Sequence, residues 1–162
     1  MGAKIEGEGT PRIVVQGVKK LHQTRHNIVA DRIEAGTYAI AAAITDGCIK
    51  MTGVNIDLFT GFKSELEKAG VTIKALDDNS VEVKRSGRNI NSIDISTHPY
   101  PGFPTDMQAQ FMSLMTIADG TSTIKENIFE NRFMHVMELL RMGANIEYSG
   151  NVAVVKGVQK LL

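Results

Sequence analysis

Phe111-Met112-Ser113-Leu114-Met115-Thr116-Ile117, with Asp119-Gly120 just behind it, is the stretch that decides the fold. A helix apolar nearly all round is buried on every side, and Asp-Gly turns the chain out of it. The same text stands 73 residues earlier, as Tyr38-Ala39-Ile40-Ala41-Ala42-Ala43-Ile44 with Asp46-Gly47, and Gly70 and Gly143 repeat at the same offset. Outward from these helices the two segments keep reading alike. A short strand is expected before each, at Asn27-Ile28-Val29 and Ile93-Asp94-Ile95-Ser96, and another after each, near 49–54 and 121–126. An amphipathic helix follows, with stripes Phe59, Phe62, Leu66, Ala69 and Phe133, Val136, Met137, Leu140. Gly70 and Gly143 then sit where a left-handed cap suits glycine.

A hairpin closes each segment, and Ser80-Val81-Glu82-Val83-Lys84 alternates like a sheet wet on one face. The unit is therefore βαβαββ. Half-wet sheets around wholly apolar helices place the helices inside and the sheets outside, an inside-out version of the usual α/β barrel. Gly2-Ala3-Lys4-Ile5 and Val14-Val15-Gln16-Gly17-Val18-Lys19-Lys20-Leu21 nearly repeat Gly143-Ala144-Asn145-Ile146 and Val154-Val155-Lys156-Gly157-Val158-Gln159-Lys160-Leu161. Residues 1–21 thus read as the end of a preceding repeat and a crossover, 22–87 as one repeat and 88–162 as another. The expectation is a piece of a longer protein.

Composition narrows the class. Of 162 residues, 43% are apolar and 22% charged, enough to bury a core. Lysine plus arginine equals aspartate plus glutamate at 18 each, so no net field attracts nucleic acid or an anionic membrane. One cysteine, Cys48, excludes an internal disulfide and fits a cytoplasmic location. Following the Asp-Gly turn into a strand, it reads as half-buried and inert. His22 and His26 have helical spacing but no surrounding metal-ligand motif, so no metal site is expected.

Two segments carry candidate chemistry. In Pro99-Tyr100-Pro101-Gly102-Phe103-Pro104-Thr105-Asp106-Met107-Gln108, three prolines and a glycine stiffen the approach to the second buried helix. Thr105 and Gln108 have the spacing of a capping box, which puts Asp106 in the first helical turn. Asp106 there either complements the helix dipole or is a carboxylate fixed beside a substrate hydroxyl. In Glu126-Asn127-Ile128-Phe129-Glu130-Asn131-Arg132-Phe133-Met134-His135-Val136, an arginine at a helix start opposes the dipole. Either Glu126 or Glu130 pairs with it, or its planar fork is aimed at an anionic ligand. Asp31, Arg32 and Glu34, at the entry to the first buried helix, mark either a cleft or ordinary capping with a surface pair.

The runs Pro101–Gln110 and Phe129–Val136, with Asp31–Thr37 as a third, resemble the motifs of the enolpyruvyl transferases, in particular the branch that starts peptidoglycan synthesis, and the similarity runs along essentially the whole chain. The resemblance implies the enolpyruvate transferase-like fold, two such domains about a cleft, and no metal or organic cofactor. It implies phosphoenolpyruvate and UDP-N-acetylglucosamine as substrates, joined at the sugar 3′-hydroxyl by addition and elimination. Carried over by motif, Asp106 is the catalytic residue expected to take the sugar hydroxyl proton and to hold that hydroxyl in place. Ile128 contacts the UDP-sugar through its backbone, and Arg132 faces phosphoenolpyruvate. Thr105, Phe129 and Glu130 are secondary candidates. The loop cysteine that fosfomycin alkylates, and the other phosphoenolpyruvate-binding residues of the family, have no counterpart here. The remainder of the enzyme is thus an implied partner and the isolated chain is expected to be inactive. A shikimate-type transferase and a non-catalytic binding or scaffold module built on the same repeat are the alternatives.

Overall fold

A computed structural model describes residues 1–87 and 89–162. In chain order the elements are β1 (Lys4–Glu6), β2 (Val14–Gln16), α1 (Arg32–Ile44), β3 (Cys48–Thr52), α2 (Lys63–Lys68), β4 (Val71–Asp77), β5 (Ser80–Arg85), β6 (Ile90–Asn91), β7 (Ile95–Ser96), α3 (Gln108–Met115), β8 (Ala118–Asp119), β9 (Thr121–Lys125), α4 (Val136–Arg141), β10 (Asn145–Ser149) and β11 (Val152–Lys156). β3 and β9, like α2 and α4, stand at one constant offset of 73 residues at both ends.

The inside-out arrangement of the enolpyruvate transferase fold is present. The earlier half forms an antiparallel sheet in the order β3-β5-β4, the later half a sheet in the order β10-β11-β9-β7, with β7 parallel to β9. α1 packs on β5 and β3, α3 packs on β9 and β11, and the two helices pack on each other. One core results, in which Phe59, Phe62, Leu66, Phe111, Met112, Leu114, Met115 and Ile124 are buried. Gly36 of α1 allows the helices to approach, because a Cβ there would lie 2.7 Å from the Met107 methyl.

Several expectations change. No closed barrel forms, since the two main sheets are separate. α3 has no exposed residue, but α1 shows Glu34, Tyr38, Ala41 and Thr45 along one stripe, and Tyr38 is 58% exposed. The strand expected at 27–29 is not formed: Ile28 is 91% exposed, and the earlier sheet has no strand in the position that β7 fills in the later one. β1 and β2 form a hairpin whose residues are all exposed. The amphipathic helices are shorter than their stripes imply. The first is a 3₁₀ turn (Ile56–Phe59) and then α2, with all four stripe residues buried. In the second, the inward face runs through Phe133, Val136 and Leu139, the last equivalent to Leu66, while Met137 and Leu140 are exposed. Cys48 is exposed on its strand, not half-buried. Gly70 and Gly143 do take left-handed conformations at the helix ends. Among the described residues no helix is long and apolar enough to cross a membrane.

Candidate functional site

The proline-rich segment is anchored at both ends of its turn. Phe103 packs edge-on against Phe111 with ring centroids 5.4 Å apart, and Met107 is fully buried. The His98 amide donates to the Phe103 carbonyl at 3.0 Å, and that of Gly102 to the Pro99 carbonyl at 2.8 Å. From the other half Gly61, at a φ of 91°, comes so close that a Cβ there would lie 2.6 Å from the Gly102 carbonyl oxygen. The rigidity inferred from the prolines is therefore also imposed by packing. Thr105–Met107 is a 3₁₀ turn leading into α3 and carries Asp106.

The capping box is not formed. Pro104 occupies the cap position and makes no side-chain cap bond; the Thr105 hydroxyl donates instead to Glu126 Oε2 at 2.8 Å. The hydroxyl thus donates to a buried carboxylate, a charge-assisted bond, instead of accepting from a backbone amide as a capping box requires. Gln108 is buried, with its Nε2 lacking a hydrogen-bond partner among the described residues.

The loop after β9 wraps a cavity of about 560 Å³ lined by Glu126–Phe133, Gly150 and Asn151. Arg132 lies in a turn ahead of α4 rather than in its first turn, and Asn131 at φ 56° makes that turn. The dipole objection to an arginine there disappears. Its partner is neither Glu126 nor Glu130: Arg132 Nη2 donates to Asp106 Oδ1 at 3.0 Å, with the guanidinium 5.5 Å from the Phe129 ring centroid. Both side chains are partly exposed, so the pair contributes roughly 0.2–1 kcal/mol; its significance is positional. It joins the two segments that the sequence singled out separately. Asp106 is not itself among the lining residues; it reaches the cavity through Arg132.

Glu126 lies beneath this loop and is only 2% exposed. Its Oε1 accepts from Thr97 Oγ1 at 2.8 Å, the Ile128 amide at 2.8 Å and the Phe129 amide at 3.2 Å, while Oε2 takes the Thr105 hydroxyl. Burial pushes its carboxyl up, but these hydrogen bonds together outweigh burial and hold it below the ordinary carboxylate range. In the sequence Glu126 reads only as an ion-pair partner for Arg132; the signal of a different role is its alignment with Gly53, 73 residues earlier. His135 sits beside Met112, Nε2 to Sδ 3.3 Å, and burial lowers its pKa.

The first-half candidates divide. Asp31 caps α1, accepting from the Ile33 amide at 2.7 Å and the Glu34 amide at 3.4 Å. Asp31 and Glu34 line a separate depression of about 310 Å³. Arg32 stacks on Tyr100 of the proline-rich loop, 5.7 Å from the ring centroid, and among the described residues it makes no pair with Asp31 and its buried Nη1 has no hydrogen-bond partner.

Residues 1–162 match the family described as EPSP synthase (3-phosphoshikimate 1-carboxyvinyltransferase). The chain belongs to that family. Curated relatives named UDP-N-acetylglucosamine 1-carboxyvinyltransferase match over 161 residues, 99% of this chain: one from Methylorubrum extorquens (strain PA1) at 53% identity and one from Caulobacter sp. (strain K31) at 51%. The chain spans about 37% of the length of these family members. The enolpyruvyl transferase NikO from Streptomyces tendae superimposes with a TM-score of 0.83 at 25% identity, covering 96% of this chain and 37% of that one. EPSP synthase from Acinetobacter baumannii gives 0.71 at 19% identity, covering 99% and 39%, a likeness of fold.

Proposed function

We propose that this chain is part of an enzyme that transfers the enolpyruvyl group of phosphoenolpyruvate to the 3′-hydroxyl of UDP-N-acetylglucosamine and releases phosphate. The observation that carries the reading is the Asp106–Arg132 contact, which joins both motif segments at one cavity in a chain 53% identical to a relative named for that sugar nucleotide. Asp106 orients the sugar hydroxyl and accepts its proton as the oxygen attacks. Arg132 exchanges the Asp106 carboxylate for the anionic groups of phosphoenolpyruvate, which its fork can take two oxygens at a time. The Ile128 amide is already committed to Glu126, so a backbone contact with the nucleotide falls to its carbonyl. Thr105, Phe129 and Glu130 surround these groups. Of the earlier trio only Arg32, against Tyr100, adjoins this region; Asp31 and Glu34 line the separate depression beside α1.

Residues 22–87 and 88–162 are taken as two repeats, a division supported by the constant offset of their elements; its boundary at residue 88 lies outside the described residues. The rest of the enzyme supplies the opposing side of the site, and the reaction proceeds in the cytoplasm. A shikimate-type activity is disfavoured by the contrast between 53% identity to the sugar-nucleotide relative and 19% to EPSP synthase.

The test replaces the matching segment of the Methylorubrum extorquens relative with this chain and follows phosphate release. Release with UDP-N-acetylglucosamine, none with shikimate 3-phosphate, and none from the 162-residue chain alone is expected. A folded chimera that turns over shikimate 3-phosphate, or neither acceptor, would refute the proposal.

A further inference from the structure

We propose that Glu126 is a positioning residue for Asp106 and Arg132: its buried carboxylate clamps Thr105 on one side and the Ile128 and Phe129 amides on the other, and so fixes the two reactive segments against each other. Both of its oxygens are committed, to four donors from three separate stretches of chain. Thr97 extends the junction, because its hydroxyl oxygen also accepts from the Asn127 amide at 2.8 Å. The main chain of Glu126 is fixed too: its amide donates to the Asn151 carbonyl at 2.8 Å, and its carbonyl accepts from Asn151 Nδ2 at 2.9 Å.

Glu126 does not meet substrate. Although it borders the cavity, it is only 2% exposed and each carboxylate oxygen already accepts from a protein donor, so its carboxylate is spent on the protein and not on ligand. Nor does the fold require a carboxylate here. The earlier half closes the same strand-to-loop junction with Gly53, whose amide donates to the Asn79 carbonyl at 2.8 Å, and with Asn55, whose side chain caps the turn at the Asp57 amide. A Cβ at Gly53 would meet nothing within 4 Å. Burying a carboxylate costs several kcal/mol before its hydrogen bonds offset it. Of two equivalent junctions, only the one beneath Asp106 and Arg132 carries that group. Thr105 is adjacent in sequence to Asp106, and Ile128 and Phe129 begin the turn that ends at Arg132, so one anion sets both ends of the ion pair.

The role in catalysis rests on the enolpyruvyl transfer proposed above; the clamp itself does not. In the 162-residue chain labelled with ¹⁵N, Glu126→Gln and the milder Thr105→Val are compared with the unaltered protein. Both are expected to shift the Arg132 side-chain resonances to those of a free guanidinium and, for Glu126→Gln, to speed amide exchange at Ile128 and Phe129 by about tenfold or more. Glu126→Asp, which keeps the charge, restores part of the signal. Thr105→Val removes one hydrogen bond without changing charge, so the clamp stays testable even where Glu126→Gln does not fold. In the chimera each substitution is expected to lower kcat by about 10²-fold and to lower it no further once Asp106 is alanine. Unchanged Arg132 resonances in the variants overturn the clamp whatever the chimera does. Equal losses with and without Asp106 overturn its action through that residue. Altered Arg132 resonances beside a chimera that transfers nothing uphold the clamp and refute the reaction instead.

Discussion

The two halves of the chain share a backbone plan and differ in what is mounted on it. β3 and β9 run to the same relative position, and one is followed by Gly53, the other by Glu126. α1 leaves through a turn at Asp46, whereas Asp119, expected in an equivalent turn, belongs to β8 and pairs with Asn91 of β6; α3 is covered on all sides and α1 shows a stripe through Tyr38. The later sheet has a fourth strand, β7, that leads directly into the proline-rich loop; the earlier sheet has none. The repeat therefore supplies the scaffold, and the candidate chemistry enters where the later half departs from the pattern.

That contrast breaks most visibly at Asp106. In the chimera Asp106→Ala is expected to lower turnover by about 10²–10⁴-fold with an unchanged circular dichroism spectrum; near-normal turnover would remove Asp106 from the chemistry. Next comes the difference between covered and open helices. Phe111→Ala, in the enclosed helix, is expected to cost about 3–5 kcal/mol in urea unfolding of the chain, whereas Tyr38→Ala on the open stripe should stay within about 0.5 kcal/mol. Equal losses would mean that α1 is covered in solution. Gly61→Ala is smaller, about 1–3 kcal/mol of overpacking and backbone strain, and its diagnostic is a shift of the Gly102 amide resonance across the contact between halves.

Acid should sharpen the comparison further. The Glu126 carboxyl is held below its ordinary value in the fold, so its stabilisation is fully present above the unfolded value, about 4.3, and is lost as pH falls through the folded one. Stability measured by urea unfolding should decline below about pH 4, and Glu126→Gln should flatten that decline. A variant as acid-sensitive as the parent would show that other carboxylates dominate.

Much of the scaffold was legible because apolar period and turn chemistry act locally. The turn at Asp46, the glycine caps and the closing hairpins needed no tertiary information, whereas Asp119 is drawn into β8 by its pairing with β6. The expected strand at 27–29 failed for a tertiary reason: an extended segment becomes a strand only where a neighbour offers hydrogen bonds, and none does. The capping box failed similarly. Thr105 has the right spacing to Gln108, but a carboxylate 21 residues ahead captures its hydroxyl. Asp106 and Arg132 were both singled out as residues, while their contact across 26 residues was not. Glu126 reads as a partner for Arg132 and not as a clamp, since its burial depends on four donors that come together only on folding.

The central claim is that Asp106 faces the sugar hydroxyl of a bound nucleotide sugar. A crystal structure of the chimera with UDP-N-acetylglucosamine tests it directly. The account predicts one Asp106 oxygen within about 2.6–3.2 Å of the 3′-hydroxyl and the nucleotide against Ile128. A sugar ring bound away from Asp106, with that carboxylate beyond reach of the hydroxyl even through one water, would contradict it.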